Sequence, residues 1–202
     1  RAVEGMIDDI ETYLKRIPDF EQVDFAHVTG ERLGGLTNRN YKVTAPIGTF
    51  VRRVAGEGTS EYISRANESL AARITSEIGV NAPLIYFDDR DGVQLTRFIE
   101  GGATMNADRF KDLGSVRRAA QSLRRVHDCG RPFNNRFELF RMIDEYLDIL
   151  GKKDAPLPDG YHDVKREAEA VRKALNARSL PIVPCHCDPL AENFLDTGKQ
   201  VY

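Results

Sequence analysis

The chain has 202 residues, 41% apolar and 30% charged, with 29 basic and 31 acidic side chains and a formal charge of −2. These proportions suit a globular chain with enough residues for a sizeable core and exclude a disordered one. The balanced charge argues against nucleic-acid binding, no apolar run nears the ~20 residues that cross a bilayer, and three cysteines without framework spacing point to a reducing, cytoplasmic setting.

Met6, Ile10, Tyr13, Leu14 and Ile17 recur at helical spacing, and Pro18 ends that helix. Residues 23–45 read as strand interrupted by Gly34-Gly35, and residues 49–55 as a second strand closed by Gly56-Glu57-Gly58. Residues 60–78 predict a helix whose inner stripe is Ile63, Ala66, Leu70, Ile74 and Ile78, capped by Gly79. Two short strands follow, near 84–87 and 93–99. After Gly101-Gly102 the pattern turns helical. Leu113, Val116, Ala120, Leu123 and His127 share one face, with His127 expected as a core or capping residue. Phe137, Phe140, Ile143, Leu147 and Leu150 share another, and Val164, Ala168, Val171 and Leu175 mark a further helix. Residues 181–202 read as loop and short strands with a turn at Asp196-Thr197-Gly198-Lys199. A strand-rich lobe, 1–100, and a helical lobe, 101–202, make an α+β arrangement with a hinge near Glu100-Gly101-Gly102.

The most informative segment is His186-Cys187-Asp188-Pro189-Leu190-Ala191-Glu192-Asn193. His, then Asp two residues on, then Asn five residues later is the spacing of a phosphoryl-transfer catalytic loop. Such chemistry needs a carboxylate near the attacking hydroxyl and an oxygen ligand for the magnesium that neutralises the phosphates. Asp188 suits the first role and Asn193 the second, with His186 holding the loop. Cys185-His186-Cys187 lacks the second ligand pair of a zinc site.

Two further segments stand in the order that chemistry requires. In Leu33-Gly34-Gly35-Leu36-Thr37-Asn38, glycines let backbone approach a phosphate and Thr37 and Asn38 offer donors; alone, the segment reads as an ordinary hairpin turn. In Phe50-Val51-Arg52-Arg53-Val54, Arg53 is the candidate phosphate cation with Glu68 as its helical partner, and Arg52 is the competitor, because neighbours on a strand face opposite sides. His27 and His162 have no partners in pattern.

Gly34 to Tyr41, the run Phe50-Val51-Arg52-Arg53-Val54-Ala55-Gly56-Glu57-Gly58-Thr59, Arg65-Ala66-Asn67-Glu68, Thr96-Arg97-Phe98-Ile99-Glu100-Gly101, Leu123 to His127 and Cys185 to Leu195 together resemble bacterial choline kinases of the choline/ethanolamine kinase family, within the aminoglycoside phosphotransferase and protein-kinase-like superfamily. The resemblance covers residues 23–202 and implies a two-lobe kinase-like fold, ATP and Mg2+, and transfer of the γ-phosphate to a small-molecule alcohol, choline or ethanolamine. It implies that Gly34, Gly35, Thr37, Asn38, Arg53 and Glu68 hold the nucleotide phosphates, that Phe98 and Ile99 receive adenine through backbone groups, that His186 and Asp188 are catalytic and that Asn193 binds metal. One departure stands out: the family's second metal-binding aspartate follows the catalytic loop on a strand, and the chain ends at Val201-Tyr202 where that strand begins. Asp196 is too close to Asn193 to replace it. The expectation is therefore part of a longer enzyme with an incomplete C-lobe. The alternatives are an aminoglycoside or other small-molecule acceptor on the same fold, or a non-catalytic nucleotide-binding module. Oligomeric state is not legible.

Overall fold

The computed structural model describes residues 10–34, 38–56, 59 and 63–202. Helix α1, described over residues 10–14, runs into a 3-10 turn at Pro18–Phe20 that begins with the proline. A second 3-10 turn, Phe25–His27, is capped by Asp24, which accepts from the Ala26 N–H. That turn delays the first strand: β1 is Thr29–Arg32, later than the expected start at residue 23.

Strands β2 (Arg39–Ala45), β3 (Gly48–Val54), β4 (Leu84–Phe87) and β5 (Gln94–Arg97) complete an antiparallel sheet in the order β1-β2-β3-β5-β4. Alternation gives the sheet two different faces. Tyr41, Val43, Ala45, Phe50 and Leu95 are buried on one, against Ile10, Tyr13, Leu14, Ile17 and Phe20. The other carries Asn40, Lys42, Arg53, Gln94 and Thr96, with Asn40 and Gln94 on either side of Arg53 in register. Strand parity thus separates the two neighbouring arginines. Arg52 is buried on the core side over the rings of Tyr13 and Tyr41, at 5.0 and 5.8 Å. Arg53 is left for the polar side.

Helix α2 is Arg65–Glu77, with Ser64 accepting from the Asn67 N–H as N-cap. Its buried residues are Arg65, Ser69, Ala72 and Ile74, so the expected stripe of Ile63, Ala66, Leu70, Ile74 and Ile78 is corrected: only Ile74 of that set is buried, and Ala66 is exposed. The face that turns inward is small and polar because Arg65 has partners there.

Helix α3, Leu113–His127, shows the same inversion. Ser115, Ala119 and Ser122 are buried, whereas Leu113 and Val116 are exposed and His127 sits exposed in the last turn, neither core nor cap. The inward residues bind the C-terminal hairpin. Ser122 donates to the Val201 carbonyl at 2.5 Å, and Arg118 grips the buried Asp196 through two parallel bonds, Nε to Oδ1 at 2.9 Å and Nη2 to Oδ2 at 2.7 Å. Asp196 lies on β7 (Leu195–Asp196), which pairs with β6 (Ala103–Thr104) and, across the turn at Gly198, with Val201. Met105, Ala119, Phe194 and Val201 form a second small core there.

Packing divides the chain differently from the strand-rich and helical halves expected at residue 100. One compact unit joins the described residues up to Phe133 with Pro184–Tyr202, and the other is Asn134–Val183. The first unit holds both the sheet and the 186–193 loop because the β6–β7 pairing and α3 bind the C-terminal hairpin into it. Within it, the Gln200 side chain donates to the Gly79 carbonyl and Arg131 pairs with Glu77 at 2.8 Å. The second unit is a helix pair, α4 (Leu139–Lys152) and α5 (Tyr161–Asn176), joined by a Lys165–Asp144 pair at 2.7 Å and by Arg172 over Phe140. No described helix is long and apolar enough to cross a membrane.

Candidate active site

Two side-chain groups in the first unit bring together the polar residues singled out from the sequence. In the 186–193 loop, the Asp188 N–H donates to His186 Nδ1 at 3.2 Å. Asn193 Nδ2 donates to both the Asp188 carbonyl and Asp188 Oδ2, each at 3.0 Å. Between His186 and Asp188, Cys187 takes a left-handed backbone with φ 66°, which closes the tight turn. A 3-10 turn, Ala191–Asn193, then delivers Asn193 back to Asp188, and the Leu190 N–H bonds the Asp188 carbonyl at 2.9 Å. The His186 ring stacks on Phe194 at 5.9 Å, and the Phe194 carbonyl accepts from the Met105 N–H. The loop is thereby fastened to the second core while the Asp188 and Asn193 side chains stay exposed.

The second group lies on the polar face of the sheet. Arg53 Nη2 donates to Glu68 Oε1 at 2.9 Å. With its amide oxygen turned to the guanidinium, Asn38 accepts from Arg53 Nε and Nη2, both at 3.1 Å. Burial pushes the Arg53 pKa below its ordinary value, Glu68 pulls it up, and the nearby Arg65 pushes it down. Gly34 follows β1, and its carbonyl accepts from Asn40 Nδ2 at 3.2 Å. Gly35 and Thr37 lie outside the described residues. Phe98 and Ile99 follow β5 and are half-buried. The Phe98 N–H is committed to the Thr49 carbonyl at 3.0 Å, and Lys42 Nζ sits 4.3 Å over the Phe98 ring. No bond joins the Arg53 group to the Asp188 group among the described residues.

Sequence reading missed three charged residues that organise these groups. Arg65 binds the second oxygen of Glu68, Nη1 to Oε2 at 2.7 Å, and the signal for it was its position three residues before Glu68 on a helix. Arg118 and Asp196 are 78 residues apart and carried no local signal. Asp196 also accepts from Ser115 Oγ and the Gly198 N–H, both at 2.8 Å, so its carboxylate is fully engaged in holding the hairpin. The Arg118 guanidinium keeps the Asp196 pKa down at about 2. Among the described residues, no cluster of three or more His, Cys, Asp or Glu is arranged to hold a metal ion.

A five-stranded antiparallel sheet with helices packed against it, followed by further helices and a His-x-Asp-x4-Asn loop, defines a kinase-like fold. The family model described as choline/ethanolamine kinase matches residues 31–202, and the chain belongs to the choline/ethanolamine kinase family. It is similar to a choline/ethanolamine kinase family protein of Mesorhizobium loti, whose crystal structure superposes with a TM-score of 0.80 at 44% identity over 98% of this chain and 63% of that one. It is similar in fold to the choline kinase LicA of Streptococcus pneumoniae, TM-score 0.81 at 22% identity over 98% of this chain and 67% of that one. The protein LicA of Haemophilus influenzae is 26% identical over 168 residues, which are 81% of this chain and 48% of that protein. The chain thus spans about half the length of that relative.

Proposed function

We propose that the protein to which this chain belongs is an ATP-dependent kinase that transfers the γ-phosphate to the hydroxyl of choline or ethanolamine. The observation that carries the reading is the Asn193 carboxamide bound to Asp188 Oδ2, which leaves Asp188 Oδ1 open for an acceptor hydroxyl. Asp188 orients that hydroxyl. Its oxygen attacks the γ-phosphorus, the bond from that phosphorus to the bridging oxygen breaks, ADP leaves, and the hydroxyl proton passes to Asp188 and then to solvent. Arg53 supplies a cation for the phosphates, and Gly34, Gly35, Thr37 and Asn38 are the further residues assigned to them. The backbone of Phe98 and Ile99 receives the adenine edge, with the carbonyl groups and the Ile99 N–H as its polar atoms, since the Phe98 N–H is already donated to Thr49.

The chain fits magnesium through one residue. With Asn193 Nδ2 given to Asp188, Asn193 Oδ1 is the atom left for a cation, and a hard oxygen beside phosphate oxygens and water suits that ion. When bound, magnesium neutralises charge on the phosphates.

ATP consumption by the full-length protein with magnesium, measured across choline, ethanolamine, homoserine, thiamine and kanamycin, tests the reading. A choline- or ethanolamine-dependent rate that disappears in Asp188→Ala is expected. Nucleotide binding without turnover of any acceptor overturns it.

A further inference from the structure

Glu68 carries two arginines, one on each oxygen. A carboxylate that meets a guanidinium alone tends to pair with it fork to fork, through two parallel bonds. Arg53 and Glu68 do not pair that way. Their contact is a single bond, Nη2 to Oε1, because Oε2 is already held by Arg65 Nη1 at 2.7 Å.

Arg65 itself is fixed on several sides. It is buried, at 8% exposure. Its Nη2 donates to Thr59 Oγ1 at 2.5 Å, and Thr59 Oγ1 in turn donates to the Gly56 carbonyl at 2.6 Å. Gly92 lies directly against the guanidinium: a Cβ there would stand 2.8 Å from Arg65 Cδ and Nε. Arg65 therefore cannot follow Glu68 toward Arg53.

One consequence follows for Arg53. Its Nη1 stays out of the Glu68 contact, and Asn38 occupies only the Nε–Nη2 edge. That donor suits an anion with several oxygens.

We infer that Arg65 is a positioning residue for nucleotide phosphates: by occupying Glu68 Oε2 it holds the Arg53–Glu68 pair to one bond, leaving Arg53 Nη1 for the diphosphate. This rests on the kinase reading above.

The test measures Mg-ADP affinity of the full-length protein by calorimetry without acceptor, together with KM for ATP and for the acceptor. Arg65→Met is expected to weaken ADP binding about tenfold or more and to raise KM for ATP in parallel, with the acceptor KM unchanged. Arg65→Lys is expected to recover part of the loss, since an ammonium can hold Oε2 but not Thr59 as well. Thr59→Val, which removes the anchor of Arg65 and keeps its charge, is expected to weaken ADP binding less than Arg65→Met, and it carries the test if Arg65→Met does not fold. ADP affinity equal to wild type in these variants, beside a clear loss in Arg53→Met, overturns this inference alone, whatever happens to their melting temperatures. A wild-type protein that binds no ADP overturns the kinase reading and this inference with it.

Discussion

Asn193 spans Asp188 with a single amide group, donating to its backbone carbonyl and to its carboxylate Oδ2 at 3.0 Å each. The Asn side chain therefore fixes both the turn and the rotamer of the carboxylate. Asn193→Ala is expected to lower kcat by about a hundredfold or more, because positioning and charge stabilisation are lost together. Both side chains are exposed, so the melting temperature is expected to change little. Steady-state kinetics beside a thermal melt checks the pair of outcomes.

The two neighbouring arginines of β3 are expected to separate cleanly by mutation. Arg53 faces Glu68 and Asn38, so Arg53→Met removes nucleotide affinity at little cost in stability. Arg52 is buried over Tyr13 and Tyr41, so Arg52→Ala opens space in the core and loses two ring contacts, at about 1–3 kcal/mol. ADP titration and urea denaturation of both variants distinguish them; a reversed pattern contradicts the assignment of faces.

How much of this was legible in the sequence depends on distance along the chain. His186, Asp188 and Asn193 lie within one tight loop, so their spacing already fixes which atoms can meet. Arg53 and Glu68 are fifteen residues apart; the alternation of its strand sets the side on which Arg53 stands, whereas Glu68 stands out as a charged residue off the apolar stripe. The buried faces of α2 and α3 were misread because periodicity counts apolar residues. Those faces carry Arg65 and Ser69, and Ser115 and Ser122, and they turn inward because several of these side chains bind partners elsewhere in the chain. Arg65 reaches Thr59, Ser115 reaches Asp196, and Ser122 reaches the carbonyl of Val201. A hydrogen-bonded inner face needs its distant partner to be recognised, and that partner is not in the helix.

Acid should weaken the fold through two buried carboxylates. Paired side-chain bonds from Arg90 hold the Asp88 pKa at about 2, and those from Arg118 do the same for Asp196. In the unfolded chain both return to the ordinary value near 4. Because the folded pKa is the lower one, the stabilisation is fully present above about pH 4 and is lost as pH falls through about 2. Urea midpoints are expected to drop between pH 4 and pH 2. In Asp196→Asn the midpoint should be lower at pH 7, where Arg118 loses its two charged bonds to Asp196 and its remaining carboxylate contact is the longer one to Asp112 at 3.7 Å, and the drop toward pH 2 should be smaller. An undiminished drop would remove Asp196 from the cause.

Cys187 is expected to tolerate glycine better than any β-branched residue. Its φ of 66° lies in the left-handed region, where a side chain costs about 1–2 kcal/mol and glycine none. Cys187→Gly keeps the His186–Asp188 turn and is expected to melt at or above the wild-type temperature. Cys187→Val adds branching at Cβ where the backbone is least tolerant. It is expected to lower the melting temperature and to reduce kcat, because the Asp188 N–H to His186 Nδ1 bond depends on that turn. Equal melting temperatures for the two variants would mean that the left-handed turn does not hold the loop.

Gly92 offers an independent handle on Arg65. Its φ is 74°, and an added Cβ would meet Arg65 Cδ and Nε at 2.8 Å. Gly92→Ala is expected to cost stability from the backbone alone, about 1 kcal/mol or more. It is also expected to displace the guanidinium that fills Glu68 Oε2, and so to weaken ADP binding in the same direction as Arg65→Met. The two effects are separable with Gly130→Ala. Gly130 has a φ of 64° but nothing within 4 Å of where its Cβ would stand, so that variant bears the backbone strain without touching Arg65. Loss of stability in both variants with loss of ADP affinity only in Gly92→Ala is the expected result. Equal affinities in the two would mean that Glu68 keeps its arrangement without Arg65 in place.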